Sequence, residues 1–216
     1  MSNRTVASRL ALVLAAERLF AEHGLNAVSL RQINEAAGQR NSSAAHYHFG
    51  SREGVVRAVF EHRMRAVDAR RSALLDRLEA EDKLGEARSL VGAWVRPLAE
   101  ELLPRPEGNY YVRCLDQVLR AWSVIPPDVR RDLDSGWRRA RRALEALLSE
   151  LPPRLLTLRL TTATQQSIAA LAQIELLMER RKIAQSSLPM HVENVVDMTL
   201  GGLTAPVSAE TLARMD

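Results

Sequence analysis

The residues best suited to recognition chemistry sit together in Arg40-Asn41-Ser42-Ser43-Ala44-Ala45-His46-Tyr47-His48. Serine hydroxyls donate or accept hydrogen bonds, and an alanine methyl packs on a thymine methyl. Ser42, Ser43, Ala44 and His46 are therefore the expected readers of base edges. A short helix without large aliphatic residues, placed after a tight turn, has the shape that enters a DNA major groove. Metal chemistry is not expected, because His46 and His48 lie two apart on a helix and point in different directions. Catalysis is not expected either: the chain offers no defensible Ser-His-Asp arrangement, no phosphate-binding glycine loop and only one cysteine, Cys114. No cofactor is implied.

Several elements must hold this stretch in place. Ser29 is a good N-cap and Gln32 follows three residues later, the pattern of a capping box. Leu30, Ile33 and Ala37 recur at helical spacing, and Gly38 ends the helix. Asn41 or Ser42 caps the next helix, and Tyr47 and Phe49 anchor its far end. Gly50 breaks the chain, Ser51 caps again, and Glu53 suits the positive end of the helix that follows. Before all this, a helix from about Thr5 to Glu22 carries Leu12, Val13, Ala16, Leu19 and Phe20 on its inner stripe, and Gly24 stops it. Its expected task is to pack across the two short helices.

From Ser51 to about Asp82 the pattern predicts one helix of roughly 45 Å. Val55, Val59, Phe60, Met64, Val67, Leu74 and Leu78 mark its apolar side, and Arg63, Arg70, Arg71 and Arg77 are read as a solvated face. Further helices are expected over Glu86 to Leu103, where Pro97 kinks or restarts the chain, over Tyr110 to Ser123, and over Pro127 to Leu151. The arginines of the last are nearly balanced by acids and read as a salt-bridged surface. Two more helices are expected, Arg154 to Gln185 with apolar residues on two sides, and Met190 to Gly201 with Val192, Val195, Val196 and Thr199, closed by Gly201-Gly202. Ile168, Leu171, Ala172, Met178, Val192, Val195, Val196 and Thr199 are the expected dimer interface, two helices per subunit forming a four-helix bundle about a two-fold axis. A purely intrachain helical pair is the alternative.

Residues 5 to 60 resemble the N-terminal domain of the TetR family of transcriptional regulators. The resemblance is carried by Ala16, Leu19-Phe20, Gly24, Ser29-Leu30, Ile33, Ala36-Ala37-Gly38, Tyr47-His48-Phe49 and Gly50-Ser51-Arg52-Glu53. The link Gln39-Arg40-Asn41-Ser42-Ser43 is one residue longer than the usual family pattern and resembles a subgroup, as does the closing Leu203-Thr204-Ala205-Pro206. The longer link brings Arg40 or Asn41 near the groove. The resemblance implies an all-helical homodimer with a three-helix helix-turn-helix domain at residues 1–50. A helical effector-binding and dimerisation domain follows at 51–216, with 51–82 as the connecting helix. It also implies that Tyr47, His48 and Arg52 contact phosphate, that Ser29 belongs to the contact set, and that a small-molecule effector releases the DNA. The expected function is ligand-responsive repression at an inverted-repeat operator in double-stranded DNA.

Composition agrees with this reading. Apolar residues make up 46% of 216, enough for a sizeable core, while aromatics are only 4% and leave the filling to aliphatic side chains. A net charge of +4 permits nucleic acid as a partner without demanding it. One cysteine suits a reducing cytoplasm, no apolar N-terminal stretch resembles a signal peptide, and no uncharged run reaches the roughly 20 residues that span a bilayer. The effector pocket is expected among Met64, Trp94, Tyr110, Tyr111, Cys114, Gln117, Trp122, Trp137 and Gln166, where the chain concentrates its few aromatics. Two other classes compete, an enzyme and a helical adaptor that has lost DNA binding.

Overall fold

The computed structural model describes residues 3–41, 43–120 and 135–214, and among them finds ten α-helices and no strand. In chain order these are α1 (Asn3–His23), α2 (Leu30–Ala36), α3 (Ala44–Phe49), α4 (Arg52–Ala80), α5 (Ala87–Ala99), α6 (Tyr111–Arg120), α7 (Ser135–Leu147), α8 (Pro153–Glu179), α9 (Leu188–Thr204) and α10 (Ala209–Leu212). The all-α expectation holds.

Helix α1 lies across α2, α3 and α4. Leu12, Ala16 and Phe20 of α1, Ile33 of α2, Ala45 of α3 and Val55 of α4 are fully buried. This small core continues without a break into the body, where buried side chains run on to Leu203. Helix α4 is about 44 Å long at the standard rise and is shared by both parts. It begins with Ser51 Oγ accepting from the Gly54 amide at 3.1 Å. Gly54 is more than an interruption of the pattern: a Cβ there would lie 2.0 Å from the Phe49 carbonyl oxygen, so only glycine lets α4 start so close to the end of α3. In the body α5 and α7 flank α4, while α6 packs between α1 and α8.

Two arginines depart from the expected solvated face. Arg63 and Arg71 are buried, and Leu75 rather than Leu74 fills the deepest position of that stripe. Arg63 Nε and Nη2 donate to the two oxygens of Glu17 at 2.8 and 3.1 Å, a fork joining α4 to α1. Glu101 and Glu107 lie 3.9 and 3.8 Å from the same guanidinium, and Glu101 is itself held by Arg70 and Arg105. Periodicity could not foretell this, since a charge that is paired and hydrogen-bonded can occupy a core position. Arg70 is half-buried and Arg77 exposed, closer to expectation.

The ends of several elements also differ. Pro97 lies inside α5 and is buried, and the helix tightens into a 3₁₀ turn over Glu100–Leu102 just beyond it. Helix α8 stops at Glu179, with Arg181 in the left-handed region at φ 54°. Helix α9 runs through Gly201 and Gly202 to Thr204 instead of ending at them. The expected helix from Pro127 falls partly outside the described residues. In its described part, α7, Arg141 pairs with Glu145 of the same helix as expected, whereas Arg139 pairs with Asp76 and Glu79 of α4, which the balance of charge along one helix did not foretell.

The expected dimer interface needs the largest correction. Ile168, Leu171, Ala172, Val192, Val195, Val196 and Thr199 are buried within one chain, and Met178 is half-buried. Both apolar sides of α8 are covered by the chain's own helices, because α6 and α9 each pack along it. Outward on these helices stand Leu158, Met190 and Met198.

Arg63→Met should leave the Glu17 carboxylate stranded in the core and lower stability by about 3–5 kcal/mol, measured as the shift in urea unfolding. Adding Glu17→Gln should recover part of the loss. A single-variant loss below about 1 kcal/mol would show that the pair does not hold α1 on α4.

Candidate nucleic-acid interface and effector cavity

The approach to α3 is built from short-range hydrogen bonds. The Ser29 amide donates to Gln32 Oε1 at 2.8 Å and the Gln32 amide donates to Ser29 Oγ at 3.3 Å, so the expected capping box is present. Gly38 turns the chain at φ 64°, where a side chain would be strained. The Gln39 amide then donates to the Asn34 carbonyl at 3.0 Å, and Ser8 Oγ donates to Gln39 Oε1 at 2.8 Å, tying the link to α1. Asn41 Oδ1 accepts from the Ser43 amide at 2.9 Å, so Asn41 shapes the link just before α3.

The residue that fixes α3 is one the sequence reading passed over. Asn34, buried in α2, accepts from the Ala45 amide at 2.8 Å through Oδ1. That bond satisfies one of the free amides at the start of α3 and sets its angle to α2. Buried Ala44 and Ala45 press the same end against the core. Ala44, 8% exposed, is thus a packing residue, and its methyl is not free to meet a thymine. Small size at position 44 serves close approach of the helix.

The other face of α3 is open. Arg40, Asn41, Ser43, His46 and Tyr47 are exposed, as is Ser29, while His48 and Arg52 are half-exposed. Ser42 lies outside the described residues. Tyr47 does not anchor the helix as expected; its side chain is 80% exposed, edge-to-face with His48 at 5.2 Å. Phe49 is the anchor, packed on the core with the Arg9 guanidinium 5.3 Å above its ring. Arg52 Nη1 donates to the Leu25 carbonyl at 3.4 Å and Nη2 lies 3.7 Å from Glu53, which leaves donors at the surface beside α3.

In the body a cavity of about 330 Å³ opens between α4, α5, α6, α7 and α8. Of the residues expected there, Met64, Trp94 and Trp137 line it. Tyr111 and Cys114 are buried elsewhere in α6, where burial pushes the phenol and the thiol well up, so neither ionises readily. Tyr110 is half-buried beneath the Arg113 guanidinium, 5.4 Å away. Gln117 faces a polar groove with Arg113, Asp116 and Arg120. Gln166 is exposed, and its neighbour Gln165 reaches the cavity instead. Trp122 lies outside the described residues.

Sequence reasoning missed Phe60, Arg71, Leu115, Thr164 and Ser167 on the same wall, and Ile168 and Leu171, assigned above to a dimer seam, line it too. The rare aromatics gave a signal that pointed to the cavity. The buried arginine gave none. The start of α6 is docked on α8 by Glu175, which accepts from the Val112 and Arg113 amides, each at 3.0 Å. The cavity wall thus includes two helices, α4 and α6, that also touch α1.

Comparison with known proteins adds a family-model match for the N-terminal part. Residues 12–59 match the model described as bacterial regulatory proteins, tetR family. No curated protein matches the chain. Solved structures similar in fold include a TetR family transcription regulator from Marinobacter aquaeolei VT8, at 19% identity over 94% of this chain and 98% of that one, with a TM-score of 0.61. The fatty acid degradation regulator FadR from Bacillus halodurans is similar at 23% identity over 89% and 98%, TM-score 0.53. NalD, the secondary repressor of the MexAB-OprM multidrug efflux pump in Pseudomonas aeruginosa, is similar at 19% over 94% and 100%, TM-score 0.50. Among the described residues no helix is long and apolar enough to cross a membrane, and no group of three or more His, Cys, Asp or Glu could hold a metal. Residues 12–59 thus match the family model of tetR bacterial regulatory proteins, and the chain as a whole shares its fold with a solved TetR family transcription regulator.

Proposed function

We propose that this chain is a ligand-responsive transcription repressor of the cytoplasm, which binds an inverted-repeat operator as a homodimer and is released by a small, largely apolar effector. Residues 1–50 are the reading domain, 51–216 the effector and dimerisation body, and 51–82 the connection between them. The observation that carries the reading is the exposed face of α3, with His46 and Tyr47 projecting from a helix whose opposite side is buried and pinned by Asn34. A tyrosine offers an apolar ring and a hydroxyl together, which suits it to an interface that is apolar at one end and wet at the other. Against a duplex the phenol reaches phosphate, and His46, Ser43 and Arg40 or Asn41 reach base edges. Arg52 and His48 supply further backbone contacts.

The dimer surface is redrawn from the buried residues to the outward face of α8 and α9. Leu158, Met190 and Met198 are exposed there, Met198 by 66%, and Gly201 and Gly202 leave open space for close approach of a partner helix. A two-fold axis through that face presents two copies of α3 to successive major grooves on one side of the duplex. Effector in the cavity contacts α4 and α6, both of which reach α1. It shifts the dimer toward a spacing the operator does not accept, by no more than its differential affinity for the two states.

Fluorescence anisotropy with duplex DNA from the region upstream of the chain's own gene tests this reading. Arg52→Ala and Tyr47→Ala should weaken binding to every sequence, and Arg52→Ala should also reduce the salt slope by about one. His46→Ala should relax sequence preference with a smaller loss on unrelated DNA. Equal losses on every sequence for all three would contradict the assignment. Asn34→Ala should cost about 1 kcal/mol in urea unfolding, as for a lost cap, yet reduce specific binding at least tenfold because α3 loses its angle. Met198→Asp should give a monomer by light scattering and lose operator binding; a dimer of unchanged strength would move the interface elsewhere.

A further inference from the structure

The cavity carries a charge that its surroundings among the described residues satisfy only in part. Arg71 of α4 lies in the wall, only 3% exposed. A guanidinium has five donor hydrogens. Here Nη1 donates to Asp68 Oδ1 at a long 3.4 Å, Nη2 donates to the Trp94 carbonyl at 3.3 Å, and Nε has no partner among the described residues. Asp68 is heavily committed elsewhere. It accepts from the Ser135 hydroxyl at 2.8 Å, from the Gly136 amide at 3.0 and 3.1 Å, and from the Trp137 amide at 3.3 Å. Glycine at 136 allows this close approach, since a Cβ would lie 2.8 Å from Ser72 Oγ and 3.0 Å from Asp68 Oδ1 and would push these side chains aside. The Asp68 charge is thereby spread over the positive end of α7 and offsets Arg71 only in part.

Other features of the wall point the same way. Trp137 Nε1 is a second buried donor with no partner among the described residues. Arg141 also lines the cavity, its guanidinium 5.5 Å over the Trp137 ring and its Nε donating to Glu145. Among the described residues the cavity wall holds two arginines and no acid. Burial holds the Arg71 guanidinium below its ordinary range despite Asp68, the mark of a charge short of compensation. The rest of the wall is apolar: Trp94 and Trp137 meet edge-to-face at 5.9 Å and 90°, beside Phe60, Met64 and Leu98. A volume of about 330 Å³ is at the low end for ligand sites, too small for a large conjugate.

We propose that the effector is a small hydrophobic carboxylic acid, its carboxylate held by Arg71 with Trp137 Nε1 as a further donor and its apolar body lying against the two tryptophans. This rests on the effector reading above and names the chemistry of that same cavity. Planar guanidinium suits a carboxylate better than any single-point donor does, because two parallel bonds form at once.

The test uses the full chain and two matched pairs of probes, 2-naphthoate with 2-naphthamide and octanoate with octanamide, titrated by calorimetry. In the wild type at least one acid should bind about tenfold tighter than its amide. Arg71→Met should bring that acid down to the affinity of the amide and leave the amide within about twofold. Trp137→Phe should reduce the acid preference by a smaller factor. Should Arg71→Met fail to fold, the wild-type pairs and Trp137→Phe still decide. Amides that bind as tightly as their acids overturn the proposal; if those amides also loosen DNA, the effector cavity stands and only the carboxylate is refuted. An acid preference that survives in Arg71→Met overturns it as well. Binding of no probe overturns it together with the effector reading.

Discussion

The fork between Glu17 and Arg63 is the contact on which the rest of the structure leans. It joins α1 to α4 where water is excluded, and burial pushes the Glu17 carboxyl up against the pull of Arg63. Such a pair adds little net stability over apolar packing, but it is costly to break, so it favours one arrangement over its neighbours. Glu101, with Arg70 and Arg105, extends the network to the end of α5. The angle of α1 fixes the seat of α2 and α3, and the angle of α4 fixes the body. One charged contact therefore sets where the reading face points relative to everything behind it.

The same device recurs on a smaller scale. Three helices have their first amides held by a buried side chain from another helix: α3 by Asn34, α6 by Glu175 and α7 by Asp68. Each satisfies orphan donors that would otherwise be costly inside a protein. Each also links elements that must move together if the cavity is to influence the DNA-facing end. Helix α7 carries Trp137 and Arg141 into the cavity wall, and α6 runs from that wall to α1. Coupling of this kind needs two discrete packings of α6 and α4 against α1, and the buried charges make intermediate positions unfavourable.

Much of this was legible in the residues. The capping box at Ser29, the stop at Gly38, the start at Ser51 and the inner stripe of α1 are local signals, and local signals survive folding. The cluster of tryptophans pointed to the cavity because aromatics are scarce in this chain. What failed was anything decided by a distant partner. Arg63 and Arg71 look like surface residues until Glu17 and Asp68 are placed beside them. Ala44 looks like part of a reading face until the core is seen behind it. Val192, Val195 and Val196 look like an interface because an apolar stripe does not say which helix covers it. Asn34 gave no signal at all, since one asparagine in a short helix is ordinary until its carbonyl finds the Ala45 amide.

Selection of bound sites from a pool of random duplexes, with the full chain at moderate salt, tests the central claim most directly. A paired protein reading through α3 should enrich an inverted repeat whose half-sites are centred about 34 Å apart or somewhat more. Recovery of a single unpaired half-site, or of no sequence above the starting pool, would contradict it.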